Sequence, residues 1–221
     1  MSLQDQLNAF KADFEGKKAP QNVVEIMHRA TAELIASGQA DRALKAGDKA
    51  PSIVLPDADG NTVRSADLLA RGPLVVTFYR GVWCPYCNMD LQAIESTAGQ
   101  IQANGASLIA ISPQSGANSH KTQGTLGLSF PILSDLGNSV AQSFGLRFRL
   151  PDDLIAVYKG FGIDLPGVNG EPSWTLPMPA RYVIDTKGVI AYAEINPDYT
   201  RRPDPSELLP TLARLKSGKP A

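Results

Sequence analysis

Among its 221 residues the chain has only two cysteines, two histidines and two tryptophans. Two cysteines cannot build the multi-bridge framework of small secreted domains. With His28 and His120 far apart in sequence, zinc is the lesser alternative, because a tetrahedral site wants four ligands. An excess of one charge is lacking too: 21 Lys and Arg face 22 Asp and Glu, leaving a net charge of −1. Neither nucleic acid nor an anionic membrane is therefore expected as the main partner. No apolar run is long enough to cross a bilayer, and residues 1–18 lack the apolar core of a signal peptide. The expected setting is cytoplasmic, where a lone cysteine pair serves redox chemistry or metal binding more often than stapling.

What is present centres on residues 74–88. An apolar run, Leu74 to Phe78, leads through Tyr79, Arg80, Gly81, Val82 and Trp83 to Cys84-Pro85-Tyr86-Cys87. Cys87, Leu91, Ile94, Ala98 and Ile101 then recur at helical spacing and predict one buried stripe. A thiol delivered to a helix start has its thiolate favoured by unpaired N–H groups and the helix dipole. Pro85 suits the first helical position, where its missing N–H costs nothing. Inert core cysteines are the bland alternative, and a haem attachment would need His where Asn88 stands.

Around this centre the pattern divides the chain into a helical extension, residues 1–46, and a main domain, residues 47–217. Leu3, Leu7, Phe10 and Phe14 predict a first helix closed by Gly16, and residues 23–35 a second ending near Gly38. The extension is expected to pack on the domain or on a second subunit, as a clasp without chemistry. A hairpin is predicted around residues 57–61, a buried strand over 107–111 and a helix within 115–126. Pro131 predicts an edge position for the strand over 129–135. A short helix is expected over 137–144, another over 152–159, and an otherwise long excursion from 147 to 178. A hairpin over 181–195 and a helix over 206–215, capped by Ser206 and kinked at Pro210, close the chain. Strands alternating with helices before an antiparallel hairpin indicate an α/β fold, a mixed central sheet flanked by helices.

From residue 47 to 215 this order resembles the thioredoxin superfamily, and within it the peroxiredoxin-like (alkyl hydroperoxide reductase / thiol-specific antioxidant) family. Gly47-Asp48-Lys49-Ala50-Pro51, Leu55-Pro56-Asp57, Phe130 to Asp135, and Tyr182 to Asp185 with Gly188-Val189-Ile190 carry the resemblance. It implies a thioredoxin-like fold and a peroxidatic cysteine at position 87, with Cys84 resolving. The family's supporting threonine, proline and arginine would then fall on Cys84, Arg80 and Pro179; all three are replaced. Arg181 lies two residues along from Pro179 on the same strand face. Trp83-Cys84-x-x-Cys87 and Pro179 are instead similar to the thioredoxin active site and its cis-proline, with Pro177 a competitor for that place. Pro85-Tyr86 is the dipeptide of glutaredoxins. The whole is most similar to the subgroup carrying a thioredoxin-type WCxxC motif.

The resemblance implies a thiol-disulfide oxidoreductase or antioxidant protein, in which Cys84 attacks, Cys87 resolves, Trp83 shields the pair and Met178-Pro179 holds a partner's backbone. The alternatives are a thioredoxin-dependent peroxidase with Cys87 peroxidatic, Cys84 resolving and Arg80 borrowed in place of the missing arginine, and a non-enzymatic redox sensor or binding module. Thioredoxin, glutaredoxin or glutathione is the expected electron donor, and a peroxide or protein disulfide the oxidant. No cofactor or metal is expected; the N-terminal helices are compatible with a homodimer. Bland readings stand beside these: Trp83 as core packing, Tyr86 as a filler, Pro179 as a turn proline, Trp174 as a loop anchor, and Arg80, Arg201, Arg202 and His120 as solvated surface residues.

Overall fold

The computed structural model describes residues 1–218. Helix α1 (Leu3–Asp13) opens on a reciprocal cap, in which the Asp5 N–H donates to the Ser2 hydroxyl and the Ser2 N–H to the Asp5 carboxylate. Gly16 does not close it. The chain instead widens into a π turn, Phe14–Lys18, ended by the Ala19 N–H donating to the Phe14 carbonyl. Helices α2 (Gln21–Ala36) and α3 (Gln39–Arg42) lead to the hairpin β1 (Val54–Pro56) and β2 (Thr62–Arg64). Then come α4 (Ser65–Leu69), β3 (Leu74–Phe78), α5 (Pro85–Ala103), β4 (Ser107–Ser112), α6 (Gly116–Leu126), β5 (Ile132–Ser134) and α7 (Ser139–Ser143). The chain continues through β6 (Arg147–Arg149), α8 (Asp152–Gly160), α9 (Leu165–Asn169), β7 (Thr175–Pro177), β8 (Ala180–Ile184), β9 (Ile190–Ile195) and α10 (Leu209–Lys216).

The central sheet has the order β5-β4-β3-β8-β9. Strands β3, β4 and β5 run parallel, β8 is antiparallel to β3, and β9 is antiparallel to β8. The strand that follows Pro131 does take the edge, where a residue without an N–H leaves no gap in a central ladder. Every side chain of β3 is buried, so the two faces follow from its alternation. Val75 and Tyr79 join the cluster under α5, with Leu91, Ile94, Ile101, Leu208 and Leu212. Leu74, Val76 and Phe78 face the opposite side, against Ile53, Phe144 and Tyr182.

The N-terminal helices pack on their own chain. Leu3 and Leu7 are buried in the cluster under α5, while Ile26, Met27 and Ala30 of α2 cover the third cluster, built on Leu154, Ile155 and Tyr158 of α8. The excursion after residue 147 holds more order than its pattern suggested. Strands β6 and β7 pair antiparallel across it, and Trp174 packs on the third cluster as an anchor would. At the end of the chain the cap is Asp204 and not Ser206: its carboxylate accepts from the Ser206 N–H, opening a 3₁₀ turn, Pro205–Leu208. Pro210 then sits in the first turn of α10, where it breaks no hydrogen bond.

Candidate active site

Cys84 is the N-cap of α5 and Pro85 its first residue. The Cys84 carbonyl accepts from the N–H groups of Cys87 and Asn88, both at 3.1 Å, so the two thiols share one helical turn. The approach to this cap is fixed by polar groups. The Val82 N–H donates to Gln114 Oε1 at 2.8 Å, and Asn88 Nδ2 donates to the Val82 carbonyl at 2.9 Å. Gln114 is itself buried and donates to the Tyr79 hydroxyl at 2.8 Å. Gly81 has φ +144°, and a Cβ there would come within 2.6 Å of Trp83 Nε1. Only glycine lets the Trp83 indole fold over this turn.

Arg80, a candidate supporting residue whose bland reading is a surface arginine, is 2% exposed. Its guanidinium stands 4.0 Å from the Tyr199 ring centroid, 4.8 Å from Trp83 and 5.7 Å from Tyr158, and donates to the Tyr158 hydroxyl. Three aromatic faces compensate a cation taken out of water. Trp83 is therefore neither pure core nor mere shield: it is one wall of the Arg80 cage. Arg202, expected in a solvated turn, is buried as well, with Nη2 3.7 Å from Cys87 Sγ. Its Nε lies 3.3 Å from Asp90 Oδ2, and Asp90 Oδ1 accepts from Arg181 Nη2 at 2.6 Å. Arg201, by contrast, is exposed as expected.

Both cysteines are free and buried, but they differ in what they face. Cys84 lines a cavity of about 180 Å³ with Arg80, Trp83, Pro85, Tyr86, Tyr158 and Tyr199. Phe10, Phe14 and Met27 also line it, beside Phe161 and Ile163, so the N-terminal helices, expected to carry no chemistry, form part of the site. Tyr86 is more than a filler. It meets Phe10 edge-on at 5.1 Å and Tyr199 at 5.5 Å, joining the extension to the cysteine turn. Cys87 is not in the lining and has no exposed surface.

Their ionisation differs in the same sense. Burial opposes a Cys84 thiolate, yet the Cys87 hydrogen bond and the Arg80 and Arg202 cations together bring its pKa down to about 6. Cys87 is pushed up, first by burial and then by the hydrogen bond and negative charge of Cys84. Both directions favour the thiolate on Cys84 over Cys87, because the cysteine hydrogen bond and the two cations lower the one while burial and the neighbouring charge raise the other.

Pro179 departs from the thioredoxin pattern. No cis peptide bond occurs among the described residues, so Pro179 and Pro177 are trans. The backbone groups expected to hold a partner are already taken: the Met178 N–H donates to the Leu146 carbonyl at 2.9 Å, and the Pro179 carbonyl accepts from Asn196 at 3.1 Å. Met178 is wholly buried. The two histidines lie away from the thiols, His28 with Glu15 at 2.7 Å and His120 with Asp59 at 3.7 Å. Among the described residues no group of three His, Cys, Asp or Glu is placed to hold a metal ion.

Several site residues escaped the sequence reading: Asp90, Gln114, Tyr158 and Tyr199. Asp90 left a signal, because it falls three residues after Cys87 on an otherwise apolar stripe. A charge at such a position asks for a buried partner. Arg181, inside a strand of buried residues, asks the same question.

The AhpC/TSA family model matches residues 46–193. The chain therefore belongs to this family, and its fold is thioredoxin-like. A putative peroxiredoxin of Mycobacterium tuberculosis is 35% identical over 102 residues, which are 46% of this chain and 64% of that protein. The chain thus spans just under two thirds of that relative. The chloroplastic peroxiredoxin Q of Triticum aestivum is 28% identical over 181 residues, 82% of this chain and 73% of that protein. The crystal structure of peroxidoxin BcpB from Mycobacterium tuberculosis superposes with a TM-score of 0.62 at 22% identity, covering 80% of this chain and 99% of that one.

Proposed function

We propose that this protein is a thiol-dependent peroxidase in which Cys84 makes the first attack and Cys87 closes the disulfide. The observation that carries this reading is the asymmetry of the pair: the acidified thiol lines the cavity and the other lies behind it. The Cys84 thiolate attacks one peroxide oxygen, the O–O bond breaks, and the departing alkoxide takes a proton to leave as an alcohol or water. Cys84 becomes a sulfenic acid. Cys87 then gives its proton to solvent and its sulfur attacks Cys84 sulfur, and the hydroxide takes a proton from solvent and leaves as water. An external thiol returns two electrons to the disulfide; thioredoxin, glutaredoxin and glutathione all fit that role.

The arginine and threonine that the family uses are absent from their usual positions, and Arg80 takes over the charge on the Cys84 side. It is a buried cation lining the same cavity, placed to stabilise a leaving oxyanion where water is scarce. A peroxide is a better oxidant here than a protein disulfide. The cavity admits a small molecule, whereas the backbone at Met178 and Pro179 is paired within the chain and offers no edge to an extended polypeptide. The test is a competition: peroxide consumption against insulin-disulfide reduction, both driven by excess dithiothreitol. Peroxide turnover lost in Cys84→Ser, with insulin reduction near background, supports the reading. Efficient insulin reduction with negligible peroxide turnover would replace it with thiol-disulfide exchange.

A further inference from the structure

We propose that Arg202, held by Asp90 and Arg181, activates Cys87 for disulfide closure once Cys84 has been oxidised. This rests on the assignment of first attack to Cys84. Arg202 lies 115 residues from Cys87 in sequence, in the loop between β9 and the 3₁₀ turn. Nearly every donor it has is committed. Nη1 donates to the carbonyls of Tyr199 at 2.9 Å and Arg201 at 2.6 Å, and Nε faces Asp90. Its backbone N–H donates to Gln4 Oε1 at 2.9 Å, so α1 also fixes the loop. The remaining nitrogen, Nη2, points at Cys87 Sγ. Asp90, pinned on its other oxygen by Arg181, cannot swing away without stranding two buried cations.

The charged and titratable groups around Cys87 are Cys84, Arg202 and Arg80, with the Tyr79 and Tyr158 phenols further off and Asp90 and Glu194 behind Arg202. Before reaction the Cys84 thiolate repels a second negative charge, and Cys87 stays protonated. Oxidation of Cys84 to the neutral sulfenic acid removes that repulsion and leaves both cations in place. Cys87 then gives its proton to solvent and attacks as the thiolate: a sulfur–sulfur bond forms, the Cys84 S–O bond breaks, and the hydroxide takes a proton from solvent and leaves as water. The resolving thiol is thus kept quiet until there is something to resolve. Arg202 touches the reacting sulfur and is a catalytic residue for this step; Asp90 and Arg181 are positioning residues.

The experiment gives reduced protein one equivalent of hydrogen peroxide and follows the Cys84 sulfenic acid by dimedone trapping and closure by intact mass, from pH 6 to 9. In Arg202→Gln the sulfenic acid should live roughly tenfold longer near neutral pH, the effect of one pKa unit on the thiolate fraction of Cys87. The deficit should shrink as pH rises, and Arg202→Lys, which keeps the charge, should fall between the two. Closure by Arg202→Gln at the wild-type rate and pH profile would overturn the inference. So would a deficit equal at every pH and shared by Arg202→Lys, the sign of a merely structural role. If dimedone labels no Cys84 in Cys87→Ser, the reading of Cys84 fails first and this inference with it, which separates the two failures.

Discussion

The Asp90 carboxylate of α5 accepts the Arg181 guanidinium of β8 at 2.6 Å, with neither side chain more than 5% exposed. The same carboxylate faces Arg202 from the other side. Removing it leaves two buried cations without a counter-charge, at a cost of about 3–5 kcal/mol. Asp90→Asn should therefore lower the urea midpoint sharply with an unchanged m-value. A loss below about 1 kcal/mol would mean that water or Glu194 replaces Asp90 at little cost.

Cys84 should react as a thiolate well below the ordinary thiol range. Alkylation of the reduced protein by iodoacetamide should rise with pH around a midpoint of about 6. Below that pH the thiol is protonated and slow; above it the rate levels off. In Cys87→Ala the stabilising hydrogen bond is gone, so the midpoint should move up. A wild-type midpoint near 8.5, the value of a free cysteine, would contradict the assigned environment.

Glu194, opposite Arg181 across β8 and β9, has its pKa pushed up to about 7, mainly by burial, with Asp90 and Glu207 adding to it and the two arginines opposing. A carboxyl whose folded pKa is raised contributes stability that is complete below its unfolded value, about 4.3, and lost as pH rises through the folded one. Thermal stability should decline between roughly pH 4 and 7 from this source, and Glu194→Gln should flatten the decline. An identical slope in the variant would place the pH dependence elsewhere.

Phe10 lines the cavity from the N-terminal extension and packs edge-on against Tyr86. Phe10→Ala should widen the cavity and raise kcat/KM for a bulky peroxide such as cumene hydroperoxide relative to hydrogen peroxide, by roughly threefold to tenfold, about 1 kcal/mol. Equal ratios in wild type and variant would remove the extension from substrate selection.

Local patterns in the sequence reveal most of the fold because its elements are locally encoded. The stripe after Cys87, the edge strand after Pro131 and the closing hairpin all form where periodicity and turn residues placed them. The cysteine turn was legible for the same reason. What surrounds it was not, because Arg202, Tyr158 and Tyr199 reach the thiols from loops and helices distant in sequence, and no spacing rule connects them. Arg80 and Arg202 looked like surface residues because arginine usually is one. Their burial depends on an aromatic cage and on Asp90, partners that only the folded chain brings together. Pro179 misled in the other direction: its position matches the thioredoxin proline, but Leu146 just before β6 and Asn196 just after β9 occupy the backbone that a partner would need.

The most direct measurement of the central claim is the site of sulfenic acid in single-cysteine proteins. Reduced Cys84→Ser and Cys87→Ser would each receive one equivalent of hydrogen peroxide with dimedone present, and the adduct would be located by mass spectrometry. Rapid labelling of Cys84 in Cys87→Ser, with Cys87 slow in Cys84→Ser, is the predicted result. Rapid labelling of Cys87, with Cys84 slow, would contradict it and return first attack to the position that the family's pattern assigns.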